Sequence, residues 1–251
     1  INPGNAFGQQ FFLFDLLAGG LERAGMRLDW AINLPTLAGF LGIWLGLIAL
    51  GRQLFGTRGT AIGMLAFVLF LFNSSLAYIE FFRDHSLFDL ASWGTIFSQT
   101  EFVGFAPYNT SLVSAFWSQN ILTNQRHLVL SLAVFLATLT LALKAEKQKN
   151  TGALLVVGVL FGSSYLLHAQ VFLGAALVFG ILMLLQYRFF IWMLLSAALV
   201  ALPQFLLLNG PAASAQITWH LGYLAPQKTL WGISWFWIMN LGLSLLAPFT
   251  L

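Results

Sequence analysis

The sequence predicts an all-α fold: a polytopic helical membrane protein with about seven transmembrane helices and further interfacial helices on its outer face. Three observations predict it. The chain of 251 residues is 59% hydrophobic and only 8% charged, whereas ordinary soluble domains carry about 25% charged residues. Its mean hydropathy is +0.84, more apolar surface than a water-soluble domain of this length can bury. Its basic residues also gather in short connections between apolar windows.

A spanning helix needs roughly 20 mostly apolar residues. The windows that qualify, some of them short, are about 33–51, 61–79, 122–143, 152–167, 171–186, 189–207 and 231–248. Ahead of them, residues 7–24 read FGQQFFLFDLLAGGLERA and place Phe7, Phe11, Phe14, Ala18 and Leu21 at helical spacing. Gln10, Asp15 and Glu22 fall elsewhere on the wheel, as in an amphipathic helix. That pattern fits either a helix lying on the outer leaflet or the tail of an upstream span. The segment 81–121 is too long for a simple hairpin. Its aromatics, among them Phe88, Trp93, Phe97, Phe105 and Trp117, fit short helices packed at the interface, where such rings sit. The chain therefore reads as a single transmembrane domain over 1–251, with 81–121 as its outer loop. It begins at Ile1 and stops at Leu251 within an apolar stretch, so truncation at both the N-terminus and the C-terminus is expected.

Charge orients the pattern. The short connections hold Arg52, Arg58, Lys144, Lys147, Lys149 and Arg188, opposed only by Glu146. Loops rich in Lys and Arg stay cytoplasmic, so this face is expected inside. The other face is expected to carry Arg23, Arg27, Arg83, Arg126 and Lys228 against Asp15, Glu22, Asp29, Glu80, Asp84, Asp89 and Glu101. All four histidines, His85, His127, His168 and His220, fall there too. Any chemistry is then expected at the extracytoplasmic surface of what reads as a bacterial plasma membrane.

Several classes are excluded or unsupported. Zero cysteines remove disulfides, thiolate metal sites and a cysteine nucleophile. The net charge of +3 forms no basic stripe, so nucleic acid is not expected as a partner. The sequence shows no Gly-rich phosphate loop, no HExxH and no nucleophile elbow. No ionisable residue sits in the middle of a predicted span, whereas coupled transporters place charges or unwound helices there.

Three polar clusters remain. Gln125, Arg126 and His127 stand at the outer lip of the third span. Successive helical residues point about 100° apart, so the three cannot address one ligand equally. A guanidinium at headgroup depth suits a phosphate, which it grips through two hydrogen bonds. It also suits a plain interfacial anchor, and both readings stand. In the stretch 78–90 (YIEFFRDHSLFDL), Glu80 meets Arg83 and Asp84 at helical spacing, which is either an ion pair closing the span or part of a polar set. Asp84, His85 and Asp89 would supply carboxylates and an imidazole for proton transfer. Their spacing matches no diagnostic metal motif, so no cofactor is expected and a divalent metal is unsupported. In 101–111 (EFVGFAPYNTS), Tyr108 and Asn109 fit sugar stacking and hydroxyl recognition, and equally an ordinary turn. His168 with Gln170, in the turn between the fourth and fifth spans, reads as turn polarity, and His220 and Lys228 as interface residues.

Taken in order, FGQQFFLFDLLAGGLERAG, NLP, FFRD, GFAPYNT and NQRHL resemble bacterial polytopic proteins of the GT-C glycosyltransferase superfamily, the group that includes protein mannosyltransferase-like members. The resemblance covers most of the chain. It implies transfer of a sugar from a polyprenyl-phosphate carrier on the outer leaflet to an acceptor hydroxyl or amide. It implies that Arg126, with Arg83, holds the carrier phosphate. It also implies that the principal catalytic acid of the first outer loop lies upstream of Ile1, which is where this chain departs from the family pattern.

The expectation is therefore a membrane glycosyltransferase acting at the extracytoplasmic face. Its candidate catalytic residues are Asp84 and His85. Its candidate substrate-binding residues are Arg83, Tyr108, Asn109, Gln125, Arg126 and His127, with Trp93 and Trp117 lining the sugar pocket. Its expected partners are a polyprenyl-phosphate-linked sugar and membrane lipid. The alternatives are a transporter or lipid-linked flippase, marked by a polar path across the midplane, and a scaffold of a membrane complex, marked by the lack of an outer pocket.

Overall fold

The computed structural model describes residues 12–71, 76, 82–98, 122, 126–208 and 225–242. Every regular element among them is helical. In chain order these are α1 (Phe12–Arg23), α2 (Leu28–Phe55), α3 (Gly59–Leu71), α4 (Leu90–Ser98), α5 (Arg126–Lys147), α6 (Thr151–Ser163), α7 (Ala169–Leu185), α8 (Phe190–Leu208) and α9 (Leu230–Leu241). Short 3-10 turns at Gly56–Arg58 and Ser164–Leu166 join α2 to α3 and lead from α6 toward α7. The chain gathers into two compact units, 1–67 with 125–216 and 68–124 with 217–251.

Each window marked by hydropathy holds a helix among its described residues, but the lengths differ. The helical run Leu28–Leu71, which α2 and α3 share across their 3-10 turn, and the helix Arg126–Lys147 are long and apolar enough to cross a membrane, while Thr151–Leu166, Ala169–Leu185 and Phe190–Leu206 are shorter. A helix of 17 residues such as α7 rises about 26 Å, short of a hydrocarbon core of roughly 30 Å. The difference arises at the turn Ser164–His168, which takes up residues that hydropathy alone assigns to spans.

Local chemistry ends the helices where they end. After α1, Gly25 sits in the left-handed region at φ 96°. Its N–H donates to the Glu22 carbonyl at 2.9 Å, and the Met26 N–H donates to the Leu21 carbonyl at 3.0 Å. That paired closure is a Schellman motif, in which glycine avoids the Cβ penalty. The same closure recurs after α5: Lys149 N–H donates to the Glu146 carbonyl and Asn150 N–H to the Ala145 carbonyl, both at 2.9 Å. Here Lys149 itself adopts φ 51°. Asn150 then caps the next helix, its Oδ1 accepting from the Ala153 N–H at 2.9 Å, so one residue closes α5 and opens α6.

In the first unit, small residues set the pairing. A Cβ on Gly39 would meet Leu130 N at 2.8 Å, one on Gly42 the Ala133 Cβ at 2.7 Å, and one on Gly46 the Leu136 Cβ at 2.8 Å. Contact numbers rise together on both helices, so α2 and α5 run parallel in close approach. Gly158 and Gly162 of α6 do the same against α8, at Met193 and Ser196 and then at Ala197 and Val200. A Cβ on Gly63 of α3 would meet Ile48 Cα at 2.6 Å, the reversed numbering of an antiparallel hairpin with α2. Close backbone approach through small residues is how helices associate where no hydrophobic drive acts between them. Inside this frame, Phe161 stacks on Phe172 at 4.7 Å and meets Phe179 edge-on at 5.1 Å. Leu154, Phe190 and Met193 close the same core.

The two ends of this bundle differ. One holds the basic turns. Arg52 Nε donates to Thr60 Oγ1 at 2.8 Å across the α2–α3 turn, and the Phe189 N–H donates to Glu146 Oε1 at 3.4 Å, tying the α7–α8 turn to the end of α5. The other end holds the start of α5, the first turns of α2 and the α6–α7 turn. Between the ends the surface is apolar. Helix α7 buries Phe172, Ala175 and Phe179 and exposes Leu173, Leu177, Ile181 and Leu184, the last at 80%. A helix facing water carries polar residues on that stripe.

In the second unit, the Leu76 N–H donates to the Met239 carbonyl at 2.7 Å. Thr229 caps α9, its Oγ1 accepting from the Gly232 N–H at 3.1 Å. Asp89 caps α4 through the Ala91 N–H at 3.0 Å.

Candidate functional site

Parallel packing of α2 on α5 decides what gathers at the non-basic end. With Gly39 opposite Val129 and Leu130, Asn33, six positions earlier on α2, lies about one turn beyond the start of α5, within reach of a long side chain. There Arg126 donates through Nη1 to Asn33 Oδ1 at 2.9 Å. Among the described residues no carboxylate pairs with Arg126, and no further acceptor meets its guanidinium N–H groups.

His127 turns the other way, as the 100° step requires. Its ring stacks on His168 with centroids 5.0 Å apart and planes at 28°, and Phe14 of α1 meets it edge-on at 6.4 Å. His168 occupies the N-cap of α7, where its Nδ1 accepts from the Val171 N–H over a long 3.4 Å. It is buried, and that burial holds its imidazole below the ordinary histidine range, against the opposing effect of its own backbone. Four separate stretches of chain thus meet at the start of α5 in two adjacent groups, Asn33 with Arg126 on one side and Phe14 with His127 and His168 on the other.

The remaining candidates fall elsewhere. Arg83, Asp84 and His85 lie exposed ahead of α4, in the second unit. Asp89, their neighbour in sequence, is a helix cap. Trp93 directs its Nε1–H to the Leu87 carbonyl at 2.8 Å and its ring to Phe82 at 5.3 Å, closing the turn that carries Leu87 and Phe88. Gln125, Tyr108, Asn109, Trp117, Glu80, Glu101 and His220 lie outside the described residues. Among the described residues no three of His, Asp and Glu gather in a way that would hold a metal ion.

Sequence reading missed two members of the cluster. Asn33 was visible only as part of NLP, and His168 only as a polar turn residue. The signal for both was positional: each lies at the same predicted end of its helix as Arg126. No protein-family model, curated protein or solved structure matches this chain.

Proposed function

We propose that the chain is part of a polytopic membrane glycosyltransferase that takes a sugar from a polyprenyl-phosphate carrier at the extracytoplasmic face. The observation that carries this reading is the Arg126–Asn33 pair: a guanidinium anchored on one side, with its other donors unpaired among the described residues, at the end of the bundle away from the basic turns. The apolar surface between the ends supports membrane burial, and the basic turns support a cytoplasmic opposite end.

In this reading the acceptor oxygen or nitrogen attacks the anomeric carbon. The bond from that carbon to the phosphate oxygen breaks, and its electron pair leaves on the carrier phosphate. Arg126 stabilises that charge, as preorganised cations do for departing phosphates. Its single neutral tether to Asn33 keeps the fork oriented without cancelling its charge. The acceptor proton passes to a base. Asp84 and His85 are the candidates on this chain for acceptor contact or proton transfer. Arg83, Tyr108, Asn109 and Gln125 are candidates for holding the carrier and sugar.

A transporter is favoured less, for a physical reason. Most of the described polar side chains along the helices donate back to their own turns: Thr138 to Phe135, Thr140 to Leu136, Ser163 to Val159, Ser196 to Trp192 and Gln204 to Val200. Groups bonded in this way line no hydrophilic path. The test is transfer of radiolabelled sugar from polyprenyl-phosphate donors by the full-length gene product in membranes. Transfer by wild type and none by Arg126→Ala supports the reading. Carrier binding without transfer points to a flippase, and no binding to a scaffold.

A further inference from the structure

We propose that His168 is an acid-labile helix cap: protonation of its Nδ1 releases the first turn of α7 and separates it from His127 and α1. Nδ1 of His168, the Val171 N–H and the His127 ring carry this role whether or not the chain transfers sugar.

A neutral imidazole can accept at one ring nitrogen only, and a protonated one donates at both. In this fold Nδ1 is the acceptor for the Val171 N–H, so the capped state requires Nδ1 without a proton. Protonation has three consequences of the same sign. The Val171 N–H loses its acceptor, a cation appears at the positive end of a helix dipole, and that cation stands 5.0 Å from the His127 ring. The site is buried, with only 4% of His168 exposed, so water screens little of this.

Among the described residues, the neighbouring elements add few opposing charges. From α5 the facing titratable group is His127, with Arg126 one residue before it. From the 3-10 turn it is Tyr165, whose ring lies against Phe172 at 5.6 Å. On α1 the titratable group next in sequence to Phe14 is Asp15, which is exposed. Helices α6, α7 and α8 contain no acidic or basic residue. On α2, Asp29 pairs with Arg27 at 3.0 Å.

The direction follows from linkage. Burial lowers the folded pKa of His168, so as pH falls the unfolded chain takes the proton first, near the ordinary value of about 6.5. Stability contributed by the neutral cap is complete above that pH and declines below it, toward the lower folded pKa. Acid therefore loosens the joint between α1, α5 and α7 beside Arg126, which makes the cluster responsive to the acidity of the outer face.

The test is hydrogen exchange of the Val171 amide in the full chain in detergent, corrected for intrinsic exchange, at pH 7.5 and pH 5.5. Wild type should lose protection about fivefold or more at the lower pH, the effect of one lost cap. His168→Asn keeps an acceptor that does not titrate, and its protection should change little between the two pH values. Equal loss in both proteins, or no loss in wild type, would overturn the proposal. Should His168→Asn fail to fold, thermal unfolding of wild type against His127→Gln decides: a midpoint drop on acidification that persists in His127→Gln supports His168 as the titrating cap, and its disappearance contradicts it.

Discussion

Arg126 and Asn33 lie 93 positions apart in sequence, yet Nη1 of one donates to Oδ1 of the other at 2.9 Å. The bond joins the starts of two parallel helices and fixes the direction of a guanidinium. Replacing Asn33 with Ala should cost about 1 kcal/mol or less, since the bond is exposed. Carrier affinity should fall more than stability does, because a loose guanidinium loses its orientation. Thermal unfolding and carrier binding, measured on the same preparation, separate the two effects. Equal binding by Asn33→Ala and wild type would show that Asn33 does not position Arg126.

Two glycines make opposite predictions. A Cβ on Gly162 would meet the Ala197 carbonyl oxygen at 2.6 Å and Val200 Cβ at 2.9 Å, so Gly162→Ala should destabilise by about 1–3 kcal/mol through overpacking. Gly174 has nothing within 4 Å of its Cβ position, so Gly174→Ala should stabilise by about 0.5–1 kcal/mol through helix propensity. Thermal midpoints in detergent check both. Matching shifts for the two variants would mean that α6 does not approach α8 through its small residues.

The chain has no cysteine, so single introduced thiols report sidedness directly. Gln170→Cys, at the start of α7, should react with an impermeant maleimide on intact cells. Lys149→Cys, in the basic α5–α6 turn, should react only after permeabilisation. Labelling of both from outside would place the basic turns and the Arg126 cluster on the same side, against the orientation drawn from charge.

Much of this was legible in the chain and some was not. Hydropathy located the helices because apolar runs bounded by Arg52, Lys144 and Arg188 leave little choice. The amphipathic spacing of residues 7–24 marked Phe14 and Ala18, and both are buried in α1. The divergence of Arg126 from His127 followed from helical geometry alone. Helix lengths were less legible, since a turn such as Ser164–His168 is nearly as apolar as the helices it joins. The cluster was not legible at all, because it depends on which helices pair. Gly39, Gly42 and Gly46 carry that information, yet their spacing names no partner. Only the register of α2 on α5 brings Asn33 to Arg126, and only the α6–α7 turn brings His168 to His127.

The measurement that bears most directly on function compares binding of polyprenyl phosphate with binding of polyprenol, the same chain without the phosphate, to wild type and Arg126→Ala. The predicted result is a preference of wild type for the phosphate of about tenfold or more, the usual strength of a charge-assisted hydrogen bond, and loss of that preference in Arg126→Ala. An undiminished preference in the variant would contradict the assignment of Arg126 to the carrier phosphate.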